Sequence, residues 1–210
     1  MCGIVGYTGP QTAITPLIEG LRRLEYRGYD SAGIALGTPN KLFVEKRAGK
    51  LSNLEQELSS IPTAHSGIGH TRWATHGGPT DRNAHPHVDN DGKLAVIHNG
   101  IIENYAELKA ELESKGHKFS SDTDTESVAH LLSDLRKKHN GDLSAAMREA
   151  VKSLRGSFTL VAIHADTPDV IVGVRRNSPL VVGIGKNENF MASDVAAFID
   201  YTKRAIELGQ

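Results

Sequence analysis

A chain of 210 residues, 39% hydrophobic and 23% charged, has the composition of a globular protein, and its length suits one large domain better than two small ones. The formal charge of −1 leaves no basic surplus for nucleic acid, and the longest apolar runs, Leu160 to Ile163 and Val170 to Val174, are strand-length, so no membrane partner is expected. One cysteine excludes an internal disulfide, and the start of the chain lacks a charged segment followed by an apolar one, which makes a cytoplasmic address the default expectation.

In chain order, Cys2 to Tyr7 is a short apolar run with glycines, the pattern of a buried strand that another backbone approaches closely. Ile14, Leu17, Ile18, Leu21 and Leu24 recur at helical spacing and Pro16 fits only a first turn, which predicts a helix from about Pro16. Ser31 to Leu36 and Leu42 to Lys46 read as a hairpin around Gly37, Pro39 and Asn40. Ser66 to His70 and Lys93 to His98 read as strands; the stretch between them, rich in Gly, Pro, His and Asn, reads as a structureless loop of the length usually reserved for function. Helices are predicted around Tyr105, Leu108 and Leu112, around Val128, Leu131, Leu132 and Leu135, and over Leu143 to Leu154. The tail returns to strands at Phe158 to His164, Val170 to Arg175, Leu180 to Ile184 and Phe190 to Ala192. Strands at both ends with helices grouped between them predict an α+β layered sandwich, not a doubly wound parallel sheet. No repeat or linker marks a boundary, so residues 1–210 are taken as one domain.

Cys2 follows Met1, and a residue this small predicts removal of Met1. That would leave one residue holding both a nucleophilic thiol and, in its α-amine, a base titrating at roughly 7.7–8.0. Taken alone, a cysteine here is equally a small buried hydrophobe at the start of a strand. Four further segments accompany it: LEYRGYDSAG over Leu24 to Gly33, HTRWATHG over His70 to Gly77, HNGIIEN around Asn99-Gly100, and TDTE over Thr123 to Glu126. An Asn-Gly pair offers a side-chain donor and a backbone free of Cβ, as an acyl-transfer oxyanion requires, although it also reads as a plain turn. Arg72 offers a planar fork for a carboxylate, or a surface salt bridge. Asp124 offers an anion for an ammonium group, or a simple cap for the helix predicted over residues 126–138. His70, His76, His85, His87 and His98 invite a metal reading, but there is no HExxH, second cysteine or carboxylate-histidine spacing to build a zinc site. They are read as satisfying loop backbone, and neither metal nor cofactor is expected.

Together with the opening CGIVG, these segments resemble the class II glutamine amidotransferases, whose glutaminase domain belongs to the N-terminal-nucleophile hydrolases, and the resemblance runs over essentially the whole chain. LEYRGYDSAG and HTRWATHG are similar to the isomerising glucosamine-6-phosphate synthases rather than to the amidophosphoribosyltransferases, whose early motif carries HRGQESAG. The resemblance implies a four-layer αββα sandwich that hydrolyses L-glutamine to L-glutamate and ammonia through a γ-glutamyl thioester on Cys2. It further implies that Asn99 and the Gly100 N–H hold the oxyanion, that Arg72 takes the α-carboxylate of glutamine and that Asp124 takes its α-ammonium group. Thr75, His76 and Gly77 would lie in a loop that closes over the substrate, Trp73 would gate an ammonia passage, and Arg27 and Gly28 would give support. The full enzyme, a homodimer, would pass ammonia to fructose-6-phosphate in an isomerase portion absent from this sequence. A catalytically silent module of the same fold would keep Arg72 and Asp124 without needing a free Cys2 amine.

Overall fold

In the computed structural model, which describes residues 2–74 and 77–209, alternation along the strands sorts the apolar side chains into three separate layers. The strands are β1 (Gly3–Thr8), β2 (Ser31–Thr38), β3 (Lys41–Ala48), β4 (Ser66–Arg72), β5 (His87–Val88), β6 (Leu94–Ile102), β7 (Gly156–His164), β8 (Thr167–Arg176), β9 (Val181–Ile184), β10 (Asn189–Ala192) and β11 (Ala205–Glu207). Among the described residues they form two antiparallel sheets, ordered β11-β9-β10-β1-β4-β2-β3 and β5-β6-β7-β8.

From β1, Val5 and Tyr7 face one side and Ile4 the other; from β2, Ala32, Ile34 and Leu36 oppose Ala35. The first group packs under helices α1 (Ile14–Leu24) and α2 (Leu51–Glu57) through Leu17, Leu21, Leu51 and Leu54. In the second sheet Leu94, Val96, Phe158 and Leu160 face α3 (Tyr105–Ser114), α4 (Thr125–Lys138) and α5 (Leu143–Ser153). Ile4, Ile68, Ala95, Ile97, Val161 and Ile163 fill the space between the sheets. Three cores therefore separate four layers, helix, sheet, sheet and helix, and each fully buried Leu, Ile, Val or Phe contributes about 1.5–3 kcal/mol. The α+β expectation and its four-layer form both hold.

Element ends differ from the sequence reading by a few residues. α1 begins at Ile14, with Pro16 in the first turn where its missing N–H costs nothing. α4 begins at Thr125. The sequence reading contains no counterpart of α2, β5 or β11. α2 spans seven residues, too few to show a helical period. The stretch between β4 and β6 is not structureless: it holds a 3-10 turn at Asp81–Asn83, a cis peptide at His85-Pro86 and the short strand β5. No helix among the described residues is long and apolar enough to cross a membrane.

Candidate active site

The antiparallel register of β1 and β4 pairs Gly3 with Thr71, which carries Cys2 alongside Arg72 and Trp73. The Trp73 N–H donates to Cys2 Sγ at 3.1 Å, and the thiol in turn donates to the Trp73 carbonyl at 3.6 Å. The turn inside LEYRGYDSAG props this segment. The Asp30 N–H donates to the Arg72 carbonyl at 2.9 Å, and the Ala74 N–H donates to Asp30 Oδ2 at 2.9 Å. At Gly28 a Cβ would lie 2.8 Å from the Arg72 carbonyl carbon and 2.9 Å from the Trp73 nitrogen, so only glycine lets the two backbones meet. Burial raises the Cys2 thiol above its ordinary pKa, outweighing the Trp73 hydrogen bond and the Arg72 charge that lower it. The thiol is therefore protonated at neutral pH and needs a base before it attacks.

Across the sandwich, Asn99 and Gly100 lie within β6, paired with Thr159 and Phe158, so the plain-turn reading is set aside. The Asn99 amide donates from Nδ2 to the Cys2 carbonyl at 2.9 Å, while its Oδ1 lies 3.0 Å from His70 Nε2. Gly100 has φ +123°, and a Cβ there would run into the Ser157 carbonyl, which makes glycine obligatory.

Arg72 is 4% exposed, which excludes the surface salt bridge. Its guanidinium donates to the carbonyls of Gly77 at 3.2 Å and Gly78 at 3.3 Å. Burial lowers its pKa, against the pull of Cys2, Asp124 and Asp30, which marks those three groups as its electrostatic neighbours. Asp124 stands at the N-cap of α4, yet its side chain makes no capping bond. Its Oδ2 instead accepts the Ile102 N–H at 2.8 Å, and Thr125 Oγ1 donates to Oδ1 at 3.4 Å, so the simple-cap reading is also set aside.

Two cavities meet at Cys2, Trp73 and Gly100. The narrow one, about 20 Å³, is lined further by Arg72, Asp124 and Thr125. The wider, about 370 Å³, runs past Arg27, Asn99, Ile101 and Pro179. Trp73 is 47% exposed at their junction and meets the Tyr29 ring edge-on at 5.5 Å, so this lone tryptophan is no core anchor. Cys2, Arg72, Trp73, Asn99, Gly100 and Asp124 are thus gathered in one place, with Arg27 on the cavity wall, Gly28 behind Trp73 and Gly77 tethered to Arg72. Thr75, His76 and Met1 lie outside the described residues.

The histidines depart from the expectation that they satisfy loop backbone. His85 Nε2 and His98 Nδ1 both lie 2.9 Å from Thr125 Oγ1, and His87 Nε2 lies 3.0 Å from Thr123 Oγ1. Their partners are the hydroxyls of the TDTE segment. His70, by contrast, keeps a backbone partner, its Nε2 lying 3.0 Å from the His98 carbonyl. Burial lowers His70 to about 3 and holds His85 and His87 well below the ordinary histidine range. Among the described residues no group of three or more His, Cys, Asp or Glu is placed to hold a metal ion. Asp30, His70, His98 and Thr125, to which sequence reasoning gave no part in the site, all sit inside the quoted segments; contacts spanning 27 to 44 positions supply their partners.

A four-layer sandwich entered through a cysteine at the head of its first strand, with an Asn-Gly pair facing it from the opposite sheet, is the architecture of the N-terminal-nucleophile hydrolases. Residues 70–200 match the family model described as glutamine amidotransferase domain, and the chain belongs to that family, the class II glutamine amidotransferases. It is 63% identical over 212 residues to the glutamine--fructose-6-phosphate aminotransferase [isomerizing] of Streptomyces coelicolor, covering 100% of this chain and 34% of that protein. It is 58% identical over 209 residues to an enzyme of the same name from Thermus thermophilus, covering 99% and 34%. The chain thus spans about a third of the length of the curated relatives it matches. Among solved structures, the glutamine phosphoribosylpyrophosphate amidotransferase of B. subtilis superposes with a TM-score of 0.79 at 29% identity, over 99% of this chain and 44% of that one.

Proposed function

We propose that this chain hydrolyses L-glutamine to L-glutamate and ammonia through a γ-glutamyl thioester on Cys2. The observation that carries the reading is the convergence of one thiol, one buried guanidinium, one carboxylate and Gly100 on a single narrow cavity, with Asn99 bonded to the Cys2 carbonyl from the adjoining wider one. A glutamine laid between Arg72 and Asp124 is held by its α-carboxylate and α-ammonium groups, which leaves the side-chain amide to reach Cys2. Once Met1 is removed, the Cys2 amine takes the thiol proton and Sγ attacks the amide carbon. The oxyanion is received by the Gly100 N–H and by the Asn99 N–H not engaged with the Cys2 carbonyl. The protonated amine then delivers its proton to the departing ammonia, and a water hydrolyses the thioester with the same base.

A cavity of about 20 Å³ holds roughly one water molecule, so its walls must part to admit glutamine. Thr75, His76 and Gly77 are assigned to contact with the bound glutamine. Ammonia leaves toward the wider cavity, with Trp73 as its gate. Residues 1–210 act as the glutaminase domain of a longer, homodimeric, cytoplasmic enzyme. There the ammonia is transferred to fructose-6-phosphate, giving glucosamine-6-phosphate for amino-sugar synthesis, and the hydrolytic half requires no metal or cofactor. Cys2→Ala is expected to abolish ammonia release and leave the fold intact, since it removes the nucleophile and little packing. Stoichiometric labelling by a glutamine-like electrophile should map to Cys2, and the intact mass should show Met1 removed. Turnover retained in Cys2→Ala refutes the mechanism.

A further inference from the structure

We infer that His70 is a positioning residue that fixes which way round the Asn99 amide sits, and thereby whether an N–H or a carbonyl oxygen faces the reacting carbon. The inference rests on the proposed role of Asn99 as an oxyanion donor.

The geometry runs through one nitrogen. His70 lies on β4, fully buried, and its Nε2 is 3.0 Å from both the His98 carbonyl oxygen and Asn99 Oδ1. A backbone carbonyl only accepts, so Nε2 must carry the ring hydrogen. With that tautomer set, the atom of Asn99 facing the ring has to be an acceptor, which places the amide oxygen toward His70 and the NH2 toward Cys2. One of those two N–H groups is taken by the Cys2 carbonyl at 2.9 Å. The second remains for the cavity that Asn99 lines together with Cys2 and Gly100.

The two ends of the amide are thus read by opposite partners. The Cys2 carbonyl belongs to the nucleophile's own residue, at the head of the chain. His70 belongs to mid-sheet, and its ring lies against that of His85, tilted by 32° with centroids 4.2 Å apart, which opposes rotation. Without the His70 donor, Asn99 Oδ1 is buried with no N–H to oppose it, and the amide is restrained at one end only. A full hydrogen-bond donor then becomes a rotor beside the developing negative charge. His70 does not act as a base in this scheme, because Nε2–H faces two acceptors and Nδ1 has no hydrogen-bond partner among the described residues.

The test compares steady-state ammonia release from glutamine by the purified protein carrying His70→Leu, His70→Asn or His70→Gln. Glutamine places its amide nitrogen near the position of imidazole Nε2, whereas asparagine falls short of it. Loss of an oxyanion donor costs on the order of 10²–10³ in kcat, so His70→Leu and His70→Asn should lose about 30- to 100-fold in kcat with KM changed less than about threefold. His70→Gln should recover most of the rate. In an Asn99→Ala background, His70→Leu should add no further loss, and alkylation of Cys2 by iodoacetamide, a displacement that builds no oxyanion, should keep its rate. The inference is overturned if His70→Leu turns over like the parent, if its loss adds in the Asn99→Ala background, if alkylation falls in parallel with kcat, or if His70→Asn matches His70→Gln. Should His70→Leu fail to fold, the contrast between the Asn and Gln variants still decides. Failure of the unmodified protein to release ammonia would strike the glutaminase reading itself, a result separable from any difference among the variants.

Discussion

Lowering the pH from 6.5 to 5 is expected to remove about 1.6 kcal/mol of folding stability through His70 alone, with His85 and His87 adding to the loss in the same direction. His70, His85 and His87 are each at most 5% exposed, and burial depresses all three, His70 to about 3. In the unfolded chain each titrates near 6.5. Because the folded-state values are depressed, the unfolded state binds more protons throughout the interval between, so the stabilisation is complete above about pH 6.5 and drains away as the pH falls. Near pH 5 the difference for His70 approaches one proton, a slope of about 1.4 kcal/mol per pH unit, and His85 and His87 steepen it. The resulting loss is a measurable part of the ~5–15 kcal/mol net stability of an ordinary domain. Urea unfolding followed by far-UV circular dichroism at several pH values between 7.5 and 5 measures it, provided the m-value holds constant. His87→Gln should reduce the slope. A stability that stays level within about 1 kcal/mol from pH 7 to 5 would refute the reasoning, because it would mean that the histidines take up protons without unfolding the protein.

Gly28→Ala forces the Arg72–Trp73 backbone away by about half an ångström, from contacts of 2.8 and 2.9 Å. We expect about 1–3 kcal/mol lost in thermal melts and a fall in kcat of about tenfold or more as Trp73 releases Cys2; unchanged kcat would show that the prop is dispensable. Arg72→Lys keeps the charge and loses the fork. KM for glutamine should rise roughly 10- to 100-fold while iodoacetamide still alkylates Cys2 at the parent rate. Glu126 is 3% exposed; burial alone would raise its pKa, but His130 Nε2 at 3.8 Å and hydrogen bonds from Ser121 and Ser120 outweigh that and hold it well below the ordinary 4.5. Its stabilisation is present above that value and lost on acidification below it, and Glu126→Gln should cost about 2–3 kcal/mol at pH 7 by urea titration while flattening the dependence below pH 4.5.

The layer architecture was legible because β1, β6 and β7 are short apolar runs, as strands buried on both faces must be, while α1 keeps the helical period of 3.6. α2 was not, since Leu51 and Leu54 make a single turn's worth of signal. Site residues were legible as segments: Cys2, Arg72, Asn99 and Asp124 each stand in a motif with a chemical reason. What sequence could not supply was their second partner. Asp124 reads as a helix cap because it precedes α4, and only the fold shows that its carboxylate turns instead to the Ile102 N–H, 22 positions away. The histidines read as loop residues because nothing local reveals that Thr123 and Thr125 are brought against them.

The gathered groups belong to different sheets, and that division has an energetic consequence. Cys2 leads into β1 and His70 and Arg72 lie on β4 of the seven-stranded sheet, whereas Asn99 and Gly100 lie on β6 of the other. The bonds from Asn99 to Cys2 and to His70 cross the gap, which is held open and closed to its proper width by Ile4, Ile68, Ala95, Ile97 and Val161. Ile4 is two residues from Cys2, and Ile97 is two residues from Asn99. Packing between the sheets therefore sets catalytic distances as well as stability. Ile97→Ala and Leu36→Ala remove equally buried side chains, the first from between the sheets and the second from beneath the helices, and each should cost about 2–5 kcal/mol. Measured at a temperature where both variants remain folded, kcat should fall several-fold in Ile97→Ala and stay near the parent value in Leu36→Ala, because a misplacement approaching 1 Å already costs up to ~100-fold. Equal kcat values in the two variants would show that the active-site geometry is set locally, by the strands that carry it, and not by the core that joins the sheets.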